Sequence, residues 1–432
     1  MIGYESLTIE DVVVSVNRTT SLDLELKQSV IEGQEVVIYA SKFSRKKDQT
    51  STVKNISSEE IEILPVEDLG AVINMQAGVV AGHFRGGRRD EVSYMIDGVP
   101  VNDAFGGVSA VSNLEVEAVQ DLEVITGTFN AEYGNAMSGI VNAVTKDGSN
   151  EFHGSFNSGF STYITENKRN GEEVFIGLDP FGINSNSVLK FSLSGPVIKD
   201  RLYFFTNFRT QDVSGHLNGV RRFEVWNLSN FYDQDSSKWF SENTGDSSYV
   251  PMNKGQYSSF MGKLSYNLGS IKLALMLNVN NSISRGYSHI YKYNPDGRSY
   301  GDGTTTLTMF QLNHFLNEKM FYDVKYSITD NDYGSYVFED YASYKVLTED
   351  GIHQGVYHFA GDTIYNYVND KYMTAYGTGF FTGGQDKGHL NRITKTYNFK
   401  SDFTWQVTNA HSIKTGFSFI SHELENLSLI HI

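Results

Sequence analysis

From residue 151 onward, apolar and polar positions alternate. The clearest run is "IKLALMLNVN", where Ile271, Leu273, Leu275, Leu277 and Val279 share one face and Lys272, Asn278 and Asn280 the other. Tyr322, Val324, Tyr326 and Ile328 likewise alternate with Asp323, Lys325 and Ser327. Tyr397, Phe399, Phe403, Trp405 and Val407 alternate with Asn398, Lys400, Asp402, Thr404 and Gln406. A period of two is that of a strand with one apolar face. The pattern predicts about nine strands, near 151–161, 188–195, 201–212, 256–267, 271–282, 304–315, 319–330, 393–407 and 412–424. The short joints are "GPVIKD", "NLGS", "LNEK" and "TNAH"; the long ones, near 162–187, 213–255, 283–303 and 331–392, all fall on the opposite end. Short turns on one end, long loops on the other and an apolar outer face are what a membrane β-barrel requires. A soluble sandwich also alternates, but its strands usually run to about five or six residues.

The chain before residue 151 has a different texture. Residues 6–27 read as two strands, with Leu22, Leu24 and Leu26 alternating with Asp23, Glu25 and Lys27. Two strands alone are marginal, so they read as the tail of a β-sandwich, assigned to residues 1–29. Residues 30–55 have linker composition, with one short β-prone hexapeptide, "EVVIYA", inside it. Residues 56–150 read as a small α+β domain. "SSEEIEIL" offers serine N-caps, "PVEDLGAVINM" starts a helix with a proline near its beginning, and short strands follow around Met95, Val124 and Val141.

Charge and composition narrow the classes. The formal net charge is −16 and there is no basic face, which argues against nucleic acid as a partner. There is no cysteine, so no disulfide, thiolate metal site or thiol chemistry is available. Tyr and Phe together reach 54 while proline stands at 6, which suits long strands. No apolar stretch is long enough for a transmembrane helix, and "MIGYESLTIEDVVVSV" lacks the pattern of a signal peptide. Over residues 54–151 five cations face sixteen carboxylates, a net −11, yet three of the five fall within residues 85–89.

Those arginines stand in "FRGGRRDEVSYMIDGVPVND". Together with "LEVITGTFNAEYGNAMSGIVNAVTKDG", an ordered pair of long motifs, it resembles the plug domain of TonB-dependent receptors of the Gram-negative outer membrane. The resemblance covers the whole chain, residues 1–27 being similar to the end of a carboxypeptidase-regulatory-like domain. It implies a mainly β protein: a small α+β plug (56–150) inside an antiparallel transmembrane β-barrel, of which 151–432 supplies about nine of about 22 strands. It also implies that the chain is a piece of a longer one.

The resemblance assigns roles as well. Glu35, Val36, Val37, Ile38, Tyr39 and Ala40 are similar to a TonB box, a strand that pairs with the sheet of TonB and couples the receptor to the inner-membrane energising complex. A final strand of the preceding domain is the other reading of that hexapeptide. Arg85, Gly86, Gly87, Asp97, Gly98, Tyr133 and Gly134 belong to the plug motifs. Gly86, Gly87 and Gly98 would permit close approach and positive φ, and Arg85 and Asp97 would be polar anchors. Turn chemistry and surface ion pairs are the plainer reading of these residues. His83, Arg88, Arg89, Asp90, Asn102, Asp103 and Phe105 are implied to lie at the plug apex, facing an extracellular small solute. Arg88 and Arg89 could meet an anionic solute or bridge to acidic barrel residues. The aromatic-rich loop 331–392 could stack on a solute or pack on its neighbours.

No zinc-protease, nucleophile-elbow or phosphate-loop pattern is present. "NPDGRSYGDG" lacks the spacing and terminal glutamate of a calcium loop. No enzyme, metal or cofactor is expected. The reading is a receptor embedded in outer-membrane lipid, taking up a scarce siderophore, vitamin, oligosaccharide or peptide with energy from TonB. The alternatives are a non-transporting surface adhesin on the same fold and a secreted carbohydrate-binding sandwich. The residues leave open whether a surface lipoprotein is a further partner.

Overall fold

In a computed structural model, residues 1–52 and 53–432 separate into two compact units. The structure describes residues 51–339, 356–359, 362–365 and 368–430, apart from positions 65, 67, 106–113, 128, 130–132, 135, 166–167, 179–185, 369, 375–378 and 409–410. The strands expected within 6–27 and the hexapeptide Glu35–Ala40 lie outside the described residues.

The plug begins with β1 (Ser51–Ser57), which takes in the last residues of the stretch expected to be linker, and runs straight into α1 (Ser58–Ile63). Ser57 is the extended N-cap, and its N–H donates to Glu60 Oε2 at 3.2 Å, one half of a capping box. α2 (Leu69–Asn74) opens on Asp68, whose carboxylate accepts from the Ala71 N–H at 2.7 Å. The cap is therefore an aspartate, and the helix starts later than the proline suggested. After a small antiparallel pair, Val79–Val80 with His83–Phe84, four more strands complete the main sheet: β2 (Val92–Ile96), β3 (Val99–Pro100), β4 (Val119–Gly127) and β5 (Gly139–Thr145). The sheet order is β1-β4-β5-β2-β3. β4 and β5 are antiparallel, β5 and β2 parallel, and β2 and β3 antiparallel. Leu69, Val72, Phe84, Ile96, Leu122 and Ile140 are all buried.

Nine long strands then form one antiparallel sheet in chain order: β6 (His153–Ser161), β7 (Asn186–Ile198), β8 (Leu202–Val213), β9 (Gly255–Leu268), β10 (Ile271–Ser284), β11 (Tyr300–Asn317), β12 (Met320–Tyr336), β13 (Gly388–Gln406) and β14 (Ser412–Ile430). The nine expected strands are all there, and most run longer than the alternation suggested. Backbone pairing continues past the apolar segment into polar residues, as at Tyr300–Thr306, where the sequence carries no alternation. Among the described residues no helix is long and apolar enough to cross a membrane, which says nothing of strands.

The sheet's two faces have inverted polarity. Leu275 is 50% exposed and Phe310 43%, whereas Asn278 is 1% exposed and Lys325 3%. A water-soluble sandwich would bury the leucines. Here the polar face is covered by the plug, and the apolar face is the one turned outward, as lipid requires. The plug's apolar core extends to a few inward residues of the wall, Phe205, Met261, Met276, Leu307 and Met309. Because successive strands meander, residues 199–201, 269–270 and 318–319 form short turns at one end. The long connections lie at the other.

Candidate functional site

The arginine-glycine stretch and the second plug motif are neighbours. β2 and β5 run parallel, with Val92 opposite Gly139. The N–H groups of Met137 and Ser138 both donate to the Glu91 carbonyl, at 3.0 and 3.2 Å. Gly139 lies against the Phe84 ring and Gly87 against Ser138, so closely that a side chain at either glycine would collide. Gly86 has nothing near its missing side chain; its φ of +82° is what calls for glycine. Arg85, beside it, holds φ +48°. Tyr133 packs beside the small cluster of Met95, Ile125 and Ile140, and Gly134 has open space around it.

β2 ends in a two-residue turn at Asp97 (φ +49°) and Gly98 (φ +79°), the Asp-Gly signature of a tight hairpin. This turn is the principal joint between plug and wall. Asp97 accepts from the Thr145 N–H at 2.9 Å and the Thr145 hydroxyl at 2.7 Å. Its carboxylate also accepts from Lys263 Nζ at 3.3 Å and Gln311 Nε2 at 3.1 Å, and its carbonyl from Lys325 Nζ at 2.8 Å. Asp147, just past β5, meets Lys263 at 3.0 Å and Lys272 at 2.5 Å. Burial disfavours charge on Asp147, but the two ammonium groups and the hydrogen bonds they donate overcome it and hold its carboxyl well below the usual carboxylate range.

A second joint lies at a 3-10 turn, Val116–Ala118. Glu115 pairs with Arg209 at 3.1 Å with both side chains buried, and Glu117 pairs with Lys190 at 2.8 Å. Burial pushes the Glu115 carboxyl up despite the pull of Arg209. The acidic balance of the plug thus has a structural use, since inward-facing lysines and an arginine of the wall receive it.

The other end of β2 points away from these joints. Along β12 the wall residues run from Lys325, which meets Asp97, to Tyr333, which pairs with Arg392 on β13. Arg392 stacks its guanidinium on Phe105 at 4.4 Å from the ring centroid. Phe105 therefore lies nearer the long loops than Asp97. Arg88, Arg89 and Asp90 lie at this same loop-ward end and are exposed, as is His83, whose Nδ1 lies 2.8 Å from the Gly87 carbonyl. Arg89 Nε donates to the Ala81 carbonyl at 2.9 Å. Among the described residues no ion pair joins Arg88 or Arg89 to a barrel carboxylate. Asn102 is committed at both ends of its amide, to the Tyr94 N–H at 2.8 Å and the Val92 carbonyl at 2.7 Å. Asp103 accepts from the Phe105 N–H at 3.0 Å.

Sequence reasoning missed a tier of interlocked loops above this end. Arg221, in the connection after β8, donates to Asp296 at 2.6 Å, and Asp296 also meets Arg285 at 3.8 Å. Asn294, wholly buried, donates to the Gly384 carbonyl at 2.7 Å, and the Thr382 hydroxyl donates to Ser229 at 2.7 Å. "NPDGRSYGDG" is thus ion-paired turn structure, and among the described residues no cluster of His, Asp or Glu could hold a metal ion. The described parts of the loop after β12 pack on their neighbours, as Phe381 does on Tyr291 at 4.7 Å.

Residues 45–140 match the family described as TonB-dependent Receptor Plug Domain. The chain is 36% identical over 135 residues to the TonB-dependent transporter Oar of Myxococcus xanthus, a match that covers 29% of this chain and 12% of that one. The vitamin B12 transporter BtuB of Vibrio vulnificus is 30% identical over 131 residues, 27% of this chain and 22% of that one. In fold, the chain is similar to the outer membrane transporter YddB from Escherichia coli, with a TM-score of 0.52 at 13% identity over 86% of this chain and 48% of that one. It therefore spans about half the length of that solved transporter. With the plug motifs paired as neighbouring strands, and the plug seated on the polar face of an outwardly apolar nine-stranded sheet, residues 45–140 belong to the TonB-dependent receptor plug domain family, and the chain is similar to TonB-dependent transporters.

Proposed function

We propose that this protein takes up a scarce solute across the outer membrane, with energy relayed through TonB from the inner-membrane complex. The observation that carries the reading is the asymmetry of the plug. Asp97 and Asp147 are tied to wall lysines toward the short-turn end, and Glu115 and Glu117 to Arg209 and Lys190 farther up the wall, while the exposed cations Arg88 and Arg89 are unengaged by wall carboxylates among the described residues. Such a plug can meet a solute at its loop-ward end, and its polar joints with the wall are contacts that can part and re-form in register.

In this reading residues 1–29 end a β-sandwich, 30–55 form the TonB-box linker, 56–150 the plug and 151–432 barrel wall. Glu35–Ala40 pairs with TonB as an added strand. Arg85, Gly86, Gly87, Asp97, Gly98, Tyr133 and Gly134 shape and seat the plug. His83, Arg88, Arg89, Asp90, Asp103 and Phe105 face the solute, with Asn102 holding the loop between them. An anionic solute suits the arginine pair; a siderophore, vitamin, oligosaccharide or peptide all remain compatible with the rest.

The test is Val37→Pro, which removes a strand-pairing N–H and resists extended pairing. Capture of the purified periplasmic domain of TonB by the full-length receptor should be lost. Retained capture by the proline variant would end the proposal.

A further inference from the structure

The inner wall sorts its charges by sign. Residues paired across neighbouring strands share a face, so the register from Lys190 and Arg209, which meet the plug, marks the inward side of each strand that follows. Across β7 to β11 the cations on that side are Lys190, Arg209, Lys263 and Lys272, and it carries no carboxylate; Asp212 and Asp302 fall on the outward side. The counter-charges come from the plug. Glu117 meets Lys190 at 2.8 Å, Glu115 meets Arg209 at 3.1 Å, and Asp97 and Asp147 share Lys263 at 3.3 and 3.0 Å. Lys272 also pairs with Asp147. In the register of β9, Lys190 and Arg209 align with Ser259, Lys263 follows toward the short turns, and Lys272 aligns with Asn267, nearer those turns again. The cations thus descend the wall in steps, while Arg88 and Arg89 of the plug stand exposed at the loop-ward end. β12 and β13 are mixed instead: Lys325 and Lys400 each sit beside a carboxylate of their own strand, Asp323 at 3.6 Å and Asp402 at 3.2 Å.

We infer that the stripe on β7 to β11 is an anion path, whose lysines and arginine are held by plug carboxylates while the plug is seated and by an anionic solute as it passes. A seat alone does not call for this arrangement. Ion pairs hold with either sign on either surface, and mixed signs would key the plug into place as well. Segregation by sign matters when the two surfaces part, because the wall then presents cations alone, and a channel lined by one sign gathers ions of the other. The plug carboxylates are place-holders: as Glu115, Glu117 or Asp147 leaves its cation, a carboxylate or phosphate of the solute takes the same ammonium or guanidinium. The solute class that fits this wall is therefore anionic, on residues separate from Arg88 and Arg89. The inference rests on the uptake reading above, but its test needs neither TonB nor the solute.

The experiment is single-channel recording of the purified full-length receptor in a planar bilayer of neutral lipid, with the plug loosened by urea and a KCl gradient across the membrane. Wild type should pass chloride in preference to potassium. Lys272→Gln and, separately, Lys190→Gln should each lower the chloride-to-potassium permeability ratio by about twofold. Their side chains are 25% and 17% exposed, so glutamine at either position spares the fold. The ratio comes from the reversal potential, which does not depend on how many receptors are open, so a variant that only loosens the plug leaves it where it was. A wild-type preference for potassium, or a ratio unchanged in either variant, overturns the inference. A receptor that stays closed until the barrel itself unfolds would mean that the wall is never bared, and the inference fails as well. TonB capture retained by Val37→Pro would end the energised-uptake reading without moving this ratio, so the two failures are distinguishable.

Discussion

Lys263 Nζ lies 3.3 Å from Asp97 Oδ2, joining the turn of the first plug motif to the inner wall of the barrel across 166 residues of sequence. The same ammonium reaches Asp147 at 3.0 Å, so one wall lysine holds both plug motifs. Its side chain is 5% exposed and that of Asp97 8%. Removing the cation leaves two carboxylates short of a partner, Asp97 in a site nearly closed to water and Asp147 at its partly exposed edge. Lys263→Met should therefore loosen the plug by about 3–5 kcal/mol, more than any exposed pair is worth. Protease cleavage within the plug of the purified receptor measures this; cleavage as slow as in wild type would remove Lys263 as an anchor.

Asp147 sets the pH response of that joint. Its carboxyl is held below the usual range, against burial, by Lys263 and Lys272, so its contribution is full above the unfolded value of about 3.9 and is lost as pH falls through the lower folded value. Between pH 7 and 5 the contribution of Asp147 should stay constant. The melting temperature of wild type should approach that of Asp147→Asn only in stronger acid. Convergence of the two curves near neutral pH would contradict the assignment.

Gly139 tests the fit between the two plug motifs. Gly139→Val drives a branched side chain into the Phe84 ring and should cost about 1–3 kcal/mol or more. Combining it with Phe84→Ala should recover part of that loss, since the ring is what blocks the space. A thermal melt of the two variants decides it.

On the outer face, Leu275→Arg places a charge where lipid is expected and should destabilise the folded barrel by about 2–4 kcal/mol if that position lies near the bilayer midplane. Folding into phospholipid vesicles, followed by gel mobility, is the readout. An arginine tolerated there would favour a surface facing water.

The arginine pair bears on the solute. Arg88→Ala together with Arg89→Ala should weaken binding of an anionic solute to the purified receptor by roughly tenfold or more. Because Arg89 also holds the Ala81 carbonyl, Arg88→Ala alone is the cleaner comparison. Unchanged affinity of an anionic ferric siderophore shown to bind the wild type would remove these residues from the solute site.

Much of the architecture was legible in the residues taken alone. Alternation at Ile271–Val279 and Tyr322–Ile328 specifies strands, because the two faces of a strand are set by a period of two. Joint lengths order those strands and put the long loops at one end. Asp97-Gly98 announces its turn because few other residues tolerate two successive positive φ angles. What only the tertiary structure decided is which groups meet. Alternation puts Lys263, Lys272 and Lys325 on the inward face, yet nothing local selects Asp97 and Asp147 as their partners, since ion pairing acts through space and carries no sequence period. The same holds for Gly139 against Phe84. Strand periodicity is a property of the backbone, legible residue by residue; seating a plug is a property of two surfaces, which exist only once the chain has folded.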